Sequence, residues 1–221
     1  MAQNISHAVM AQRTEKPESL DNFPTPPWAT RALMHHVLKK SDYRGKVCLE
    51  PACGQGHMAK VLWEYFEGVT SCDIHDYGYG VVTDFLSRKA SAEQPDWIIT
   101  NPPFKLAERF ITKALDECSE GIAMLVRTTF IESVGRYKNL FQNNPPTYFA
   151  QFVERVPMVK GRLDKSASTA TGYAWLVWKK NRKGKAELVW IPPCRKQLEY
   201  DGDYDAVQSS SPKQIQFKLV V

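Results

Sequence analysis

Short buried strands that alternate with helices constrain the fold of this chain more than any other feature. KVCLE (46–50) and GVTSCD (68–73) are mostly apolar runs, and the residues between them, 56–66, have helical spacing. This β-α-β order predicts parallel strands joined by a right-handed crossover. We expect an α/β fold with a mostly parallel sheet. The same pattern predicts further strands at 96–100 and 121–126 and further helices at 26–40, 106–117 and 131–141.

The sequence changes character after Pro146. The stretches 148–156 and 173–180 are β-rich and are joined by a long Ser/Thr/Lys loop, which predicts a closing hairpin, and 186–191 predicts one more strand. A chain of 221 residues suits one full-sized core. The predicted domains are a flexible N-terminal arm over 1–20, one main domain over 21–195 and a loosely held C-terminal tail over 196–221.

Composition restricts partners and compartment without deciding function. The chain has 29 basic and 24 acidic residues, a formal charge of +5 that suits a polyanionic partner. Its five cysteines include no CxxC pair, which predicts reduced thiols and no metal site. No apolar run reaches the roughly 20 residues that cross a bilayer. The expectation is a soluble cytoplasmic protein that uses neither a membrane nor a metal.

A small-residue turn, EPACGQGH (50–57), follows the first predicted strand at the sheet edge where open α/β sheets bind ligands. Gly54 and Gly56 let an adenosyl group approach the main chain. The turn lacks both GxGxxG and GK[ST], which disfavours a pyrophosphate ligand. Asp73 is placed to accept from a ribose diol, and Asp84 and Phe85 to hold an adenine amino group and ring face. The alternative is a turn that only caps a βα corner.

The tetrapeptide Asn101-Pro102-Pro103-Phe104 ends the predicted strand at 96–100 and fits one chemical problem. An aromatic amine is a poor nucleophile because its lone pair is delocalised into the ring. An Asn oxygen and a rigidly held Pro102 carbonyl can accept both amine hydrogens, which localises the lone pair. Phe104 would stack on the target base, which must leave a duplex to arrive there. The alternative is a simple strand-ending turn.

A basic stretch follows the predicted catalytic region. Nine basic residues lie between Arg155 and Lys185 against one acid, Asp164. Such a cluster can neutralise phosphates. We expect the loop 157–172 to approach the target nucleotide, and the alternative is a solvated basic hairpin. The candidate nucleic-acid contacts are Lys160, Arg162, Lys165 and Arg127.

With these motifs in place, the chain resembles the gamma-order class of N6-adenine DNA methyltransferases, and in size the compact versions of phages and prophages. The resemblance covers about 23–180. It implies a Rossmann-like, seven-stranded sheet with an antiparallel last strand, and S-adenosylmethionine (SAM) as methyl donor. The matching segments, in the family's linear order, are FPTPP (23–27), LEPACGQGHMA (49–59), CDIHD (72–76), TDFL (83–86) and DWIITNPPF (96–104).

The resemblance also implies site residues and leaves the substrate open. It assigns catalysis to Asn101, Pro102, Pro103 and Phe104. It assigns cofactor binding to Phe23, Pro24, Thr25, Glu50, Ala52, Cys53, Gly54, Gly56, Asp73, Ile74, Asp84, Phe85 and Asn101. RNA adenine methyltransferases and release-factor glutamine N5-methyltransferases share NPP[FY], so both stay open beside DNA. A non-catalytic nucleic-acid-binding module is a third reading. We expect no large target-recognition domain, so specificity would fall to loops, to the hairpin or to a partner, and a homodimer is open.

Overall fold

The computed structural model describes residues 21–90, 93–182 and 184–205. The predicted arm over 1–20 and most of the predicted tail lie outside these residues. Eight strands form one sheet in the order β3-β2-β1-β4-β5-β7-β6-β8. Their bounds are β1 Val47–Glu50, β2 Gly68–Asp73, β3 Val81–Val82, β4 Trp97–Thr100, β5 Gly121–Arg127, β6 Tyr148–Phe152, β7 Tyr173–Lys179 and β8 Glu187–Ile191.

The sheet is parallel except for β7, which pairs antiparallel with both β5 and β6. The prediction of a mostly parallel sheet and a closing hairpin is therefore confirmed. The expected count of seven strands was wrong, because β8 adds an eighth strand parallel to β6 at the edge of the sheet. An edge strand pairs with only one other strand, here β6. A resemblance based on motifs elsewhere in the sheet therefore does not exclude an additional edge strand.

Helices cover both faces of the sheet. Trp28 and Leu33 of α1 are buried with Ala59 of α3 against one face, and Phe110 and Ile111 of α4 are buried against the other. Apolar side chains alternate between the two faces along each strand, as a doubly covered sheet requires. The helices are α1 Pro27–His36, α2 Lys40–Tyr43, α3 His57–Leu62, α4 Ala107–Glu117, α5 Val134–Arg136 and α6 Arg195–Leu198.

The segment between β5 and β6 differs from the continuous helix predicted over 131–141. It contains a 3-10 turn over Thr128–Ile131, then α5, then a π-helical turn over Tyr137–Phe141. Ser133 has extended backbone, and its side chain accepts a hydrogen bond from the backbone N–H of Arg136. That cap starts a new helix where the sequence pattern indicated an uninterrupted one.

The C-terminal residues 199–205 are held against α1, in contrast to the loosely held tail that we expected. Arg31 is only 4% exposed and forms ion pairs with Asp203 (2.8 Å) and Glu64 (2.6 Å). Its guanidinium also stacks 3.9 Å from the ring centroid of Tyr200. Asp203 of this segment and Glu64 thus satisfy a buried cation, a long-range pairing that composition does not reveal.

Candidate active site at the carboxyl edge of the sheet

The chain brings its motifs together through strand order. Strands β2, β1 and β4 are neighbours and run parallel, so their carboxyl ends meet at one edge of the sheet. Glu50 ends β1, Asp73 ends β2, and Asn101 directly follows β4. This edge is where an open α/β sheet binds its ligands.

The carboxylate of Asp73 ties the end of β2 to the glycine turn after β1. Its Oδ2 accepts the backbone N–H of Gly54 at 2.9 Å, and its Oδ1 accepts that of His75 at 3.0 Å. Gly54 has φ +49°, a left-handed conformation that glycine adopts at little cost. The carboxylate is thereby fixed in direction, and each oxygen keeps a further lone pair for a ligand.

Gly56 is required by both conformation and space. Its φ is +81°, and a Cβ at this position would lie 2.5 Å from the ring of Tyr79. The neighbouring Cys53 thiol donates to the Tyr79 carbonyl over 3.5 Å. Burial raises the pKa of Cys53, so the thiol stays neutral and serves packing. Tyr79 thus forms the floor of the turn, a role that no sequence motif indicated.

Two buried acceptors in and beside this turn lack a hydrogen-bond partner among the described residues. One is Oε2 of Glu50, which is 2% exposed, and the other is Oε1 of Gln55. Burial and the adjacent Asp73 raise the pKa of Glu50 well above its ordinary value. Unsatisfied buried acceptors cost free energy, so the arrangement suits a ligand that presents N–H or O–H donors.

The amide of Asn101 is held in one orientation. Its Nδ2 donates to the carbonyl of Phe23 at 2.9 Å and lies 3.6 Å from the sulfur of Met158. A carbonyl only accepts, so nitrogen must face Phe23 and Oδ1 must face the other way. Within the described part of the chain, that buried Oδ1 has no partner. Asn101 therefore offers an oriented, unused acceptor.

Phe104 lies in an aromatic and charged cluster beside Asn101. Its backbone N–H donates to Asp21 at 2.6 Å, and its ring centroid is 5.4 Å from that of Phe23 and 6.3 Å from that of Tyr173. The guanidinium of Arg127 stacks 4.2 Å from the Phe104 ring centroid. Asp21 and Phe23 thus contact the NPPF segment. Arg127 contacts Phe104, one of the predicted catalytic residues.

The residues expected around an adenine ring divide into two groups. Ile74 follows Asp73 and is 56% exposed, so its side chain is available at the site. Phe85 is 1% exposed and packs against Phe110 at 5.1 Å in the core, which contradicts the expectation that it offers a ring face. The Oδ1 of Asp84 accepts the backbone N–H of Leu86, which forms the turn that carries Phe85 inward.

The basic cluster predicted over 155–185 is split between opposite edges of the sheet. Strand β7 begins opposite Arg127, at the carboxyl edge, and ends opposite Gly121, at the amino edge. Seven residues of strand span about 20 Å. The described basic residues 179, 180, 182 and 185 therefore lie far from the NPPF motif, and the basic residues of 155–185 do not form one continuous surface beside it. The cluster looked continuous only because the strand between its halves is short in sequence.

The loop 153–172 between β6 and β7 does reach the carboxyl edge. It is fastened where the N–H of Gly161 donates to the carbonyl of Asn22 at 2.8 Å and where Arg195 donates to the carbonyl of Lys165 at 2.6 Å. Lys165 is exposed, and Arg162 is exposed with an ion pair to Asp164 at 3.1 Å. Lys160 is half-buried in the same loop.

Several residues at the site carried no sequence signal. Asp21, Asn22 and Met158 contact the NPPF segment or its covering loop only because distant parts of the chain meet there. Within the described ranges, no group of three or more His, Cys, Asp or Glu is arranged to hold a metal, and no helix is long and apolar enough to span a membrane.

Comparison with known proteins rests on structure alone, since no family model and no curated protein matches the chain. The fold matches a protein from Vibrio vulnificus described as a modification subunit of a type I restriction enzyme, with TM-score 0.57 and 14% identity over 87% of this chain. It also matches a Pyrococcus horikoshii protein described as an RNA methyltransferase, with TM-score 0.53 and 17% identity over 78% of this chain and 96% of that one.

The chain has a Rossmann-like methyltransferase fold. A Thermoplasma acidophilum protein is similar to the same degree, with TM-score 0.51 and 18% identity over 75% of this chain and 93% of that one. The chain spans about half, 52%, of the Vibrio protein. At 14–18% identity, these superpositions show a shared fold and nothing further.

Proposed function

We propose that this protein is a SAM-dependent methyltransferase that methylates the N6 amino group of adenine in DNA. The observation that carries the proposal is the oriented Asn101 amide. Its Nδ2 is engaged by Phe23, and its buried Oδ1 has no partner among the described residues. An amino group has hydrogens to donate, and this acceptor is positioned to receive one of them.

The residues at the ends of β1 and β2 fit the cofactor. Asp73 holds two backbone N–H groups and keeps lone pairs for a ribose diol, and exposed Ile74 provides an apolar surface for the adenine. The unpartnered Oε2 of Glu50 and Oε1 of Gln55 suit the N–H donors of the methionine part. When bound, SAM supplies an electrophilic methyl group. Ala52, Cys53, Gly54 and Gly56 belong to the same turn; Phe23 contacts Asn101, and Pro24 and Thr25 follow it in the chain.

The NPPF segment activates the amine in this proposal. Asn101 Oδ1 and the Pro102 carbonyl accept both amine hydrogens, which concentrates the nitrogen lone pair for attack. Pro103 keeps the segment rigid, and Phe104 stacks on the base. Orientation and fixed dipoles of this kind account for most of the expected rate enhancement. The target base reaches Asn101 after it leaves the stack.

The positive charges around the site favour a nucleic acid over a protein amide as the substrate. Arg127 lies against Phe104, and Lys160, Arg162 and Lys165 belong to the loop that covers the same edge. The known proteins of similar fold include one described as a restriction-enzyme modification subunit and one described as an RNA methyltransferase. RNA adenine is therefore the second candidate substrate.

The test is incubation of the protein with methyl-labelled SAM and, in parallel, unmethylated duplex DNA, total RNA and a protein extract. Nucleoside analysis of the product should show labelled N6-methyladenine from DNA. Label confined to RNA or to protein would replace the substrate, and no label in any sample would contradict the proposed activity. Asn101→Ala is the matched variant, and it should transfer label at least a hundred-fold more slowly than wild type.

A further inference from the structure

Three large apolar side chains are exposed in the segment that follows β5. Ile131 is 45% exposed, Val134 75% and Tyr137 58%. Val134 and Tyr137 are three residues apart in helical backbone, so they are neighbours on the surface. We refer to Ile131, Val134 and Tyr137 as the apolar ridge. Clustered exposed apolar groups of this size mark interaction sites.

The apolar ridge stands on a rigid base. Phe130 is 6% exposed, and the guanidinium of Arg136 stacks 4.2 Å from its ring centroid. Nη1 of Arg136 also donates to the Phe130 carbonyl at 2.9 Å, and Leu140 is 2% exposed. The inward-facing side chains of Phe130 and Leu140 are thus buried, and the side chains of the apolar ridge are exposed to a partner.

The apolar ridge lies next to the NPPF motif. Arg127 stacks on Phe104, and the next residue, Thr128, donates its N–H to the Gly172 carbonyl at the end of the covering loop, at 2.9 Å. Glu108, in the first turn of α4, accepts from Asn139 at 3.4 Å and lies 4.0 Å from Arg136. The segment that carries the ridge therefore adjoins the end of the loop 153–172 and the first turn of α4, which follows the NPPF motif.

Exposed cations outnumber exposed acids on the segments 105–109 and 131–138, where Glu132 is also exposed. Lys105 and Arg109 are exposed at the start of α4, and Lys138 is exposed beside Tyr137. The loop 153–172 adds Arg162 and Lys165. Apolar side chains bordered by cations complement unstacked bases bordered by phosphates. The chemistry of this surface favours a nucleic acid.

We propose that the apolar ridge is a wedge that enters the base stack of the nucleic-acid substrate when the target base moves into the NPPF site. This inference rests on the proposed nucleic-acid substrate. Unstacking a base costs free energy, and apolar side chains that fill the gap recover part of that cost. The wedge thereby stabilises the state in which the base is beside Asn101 and Phe104.

The experiment compares wild type with the double variant Ile131→Ser/Val134→Ser. The matched control is Leu188→Ser/Trp190→Ser, because these side chains are 55% and 62% exposed on β8, at the far end of the sheet. Fluorescence anisotropy measures binding to three labelled DNAs: a matched duplex, the same duplex with one A·A mismatch, and one single strand. Circular dichroism checks that each variant is folded.

Wild type and the control variant should bind the mismatched duplex roughly tenfold more tightly than the matched duplex, because a mismatched base is cheaper to unstack. The ridge variant should bind both duplexes equally and should keep its single-strand affinity within about threefold, since phosphate contacts are retained. A ridge variant that keeps the mismatch preference overturns the proposal. Loss of the preference in the control, or its absence in wild type, overturns it equally.

Parallel methyl-transfer assays separate this inference from the proposed function. If wild type methylates DNA and the ridge variant keeps the mismatch preference, the wedge proposal is wrong. The assignment as a methyltransferase then stands. If wild type neither binds these DNAs nor methylates any nucleic acid, the substrate assignment is wrong, and the wedge is wrong with it.

Discussion

Both edges of the sheet carry polar side chains but use them differently. At the amino edge, Lys46 Nζ lies 2.7 Å from Glu120 and 3.8 Å from Asp96, and Lys179 Nζ lies 2.5 Å from Asp42. At the carboxyl edge, acceptors of Glu50, Gln55 and Asn101 have no partner among the described residues. Charges that hold the fold pair with one another, whereas groups that meet a ligand keep a free hydrogen-bonding site.

This difference has a cost in stability. A buried acceptor without a donor costs about 1–3 kcal/mol relative to one that is paired. The ion-paired side chains of the amino edge avoid that cost, and the three unpartnered acceptors of the carboxyl edge do not. Substitutions at the carboxyl edge should therefore change activity more than stability, and substitutions at the amino edge should do the reverse.

The largest effect is expected at Asn101. Asn101→Ala removes the oriented acceptor and should lower kcat by a hundred- to a thousand-fold, as loss of a preorganised hydrogen-bonding group does. Steady-state kinetics at saturating SAM measures this. The amino-edge variant Lys179→Met should keep kcat within about twofold, because β7 separates it from the site by about 20 Å. Similar kcat values for the two variants would remove the contrast between the edges.

Alanine substitutions at Gly56 and Gly45 separate the effect of the close Tyr79 ring from that of the backbone conformation, since both glycines have positive φ. Gly56→Ala introduces a Cβ 2.5 Å from the Tyr79 ring at φ +81°, whereas the Cβ of Gly45→Ala, at φ +69°, meets nothing closer than 3.9 Å. We expect Gly56→Ala to cost about 3 kcal/mol and Gly45→Ala about 1 kcal/mol. Urea unfolding measures both. Equal losses of unfolding free energy would mean that the Tyr79 ring moves away from the new Cβ at little cost.

A pH effect is expected from His57, at the end of the glycine turn. Burial, with a smaller contribution from Lys60, lowers the pKa of His57 to about 4 in the folded protein. Between pH 4 and 6.5 the unfolded chain binds more protons at this site, so the free energy of unfolding falls as pH falls through that range. His57→Gln should remove about 2 kcal/mol of that loss.

Urea unfolding at pH 7 and pH 4.5 measures this effect for wild type, His57→Gln and the control His75→Gln, whose side chain is exposed. Parallel pH dependence in all three proteins would show that His57 contributes nothing to acid sensitivity.

The smallest effect is expected from the amino-edge ion pair. Lys179 and Asp42 are 24% and 11% exposed in their side chains. Lys179→Met should lower the free energy of unfolding by about 1 kcal/mol or less, and added salt should shrink the difference. Urea unfolding at low and high salt measures this. A loss as large as that of Gly56→Ala would show that the amino edge stabilises the fold more than its exposure suggests.

The sequence predicted those parts of the molecule that depend on local pattern. Apolar runs predicted the strands β1, β2 and β4, and small residues predicted the motifs at their ends. The alternation of strands and helices predicted the α/β class. Long-range pairings were not predictable in this way. Strand β8 beside β6, Asp203 beside Arg31, and Met158 beside Asn101 each join residues that no local pattern connects.

The local pattern also gave a wrong expectation where one motif contains a polar residue that forms a turn and an apolar residue that packs in the core. Phe85 was expected beside the cofactor with Asp84, but an apolar ring next to a polar turn is more stable in the core. The basic stretch over 155–185 was treated as one surface, although strand β7 divides it. Proximity in sequence is a poor guide to proximity in space across an extended strand.

The most direct test of this account is calorimetric titration of SAM into wild type, Asp73→Ala and Lys179→Met. The account predicts one binding site in wild type, an affinity at least tenfold lower in Asp73→Ala, and an unchanged affinity in Lys179→Met. Absence of binding to wild type, or equal binding by wild type and Asp73→Ala, would contradict the assignment of the carboxyl edge as the cofactor site.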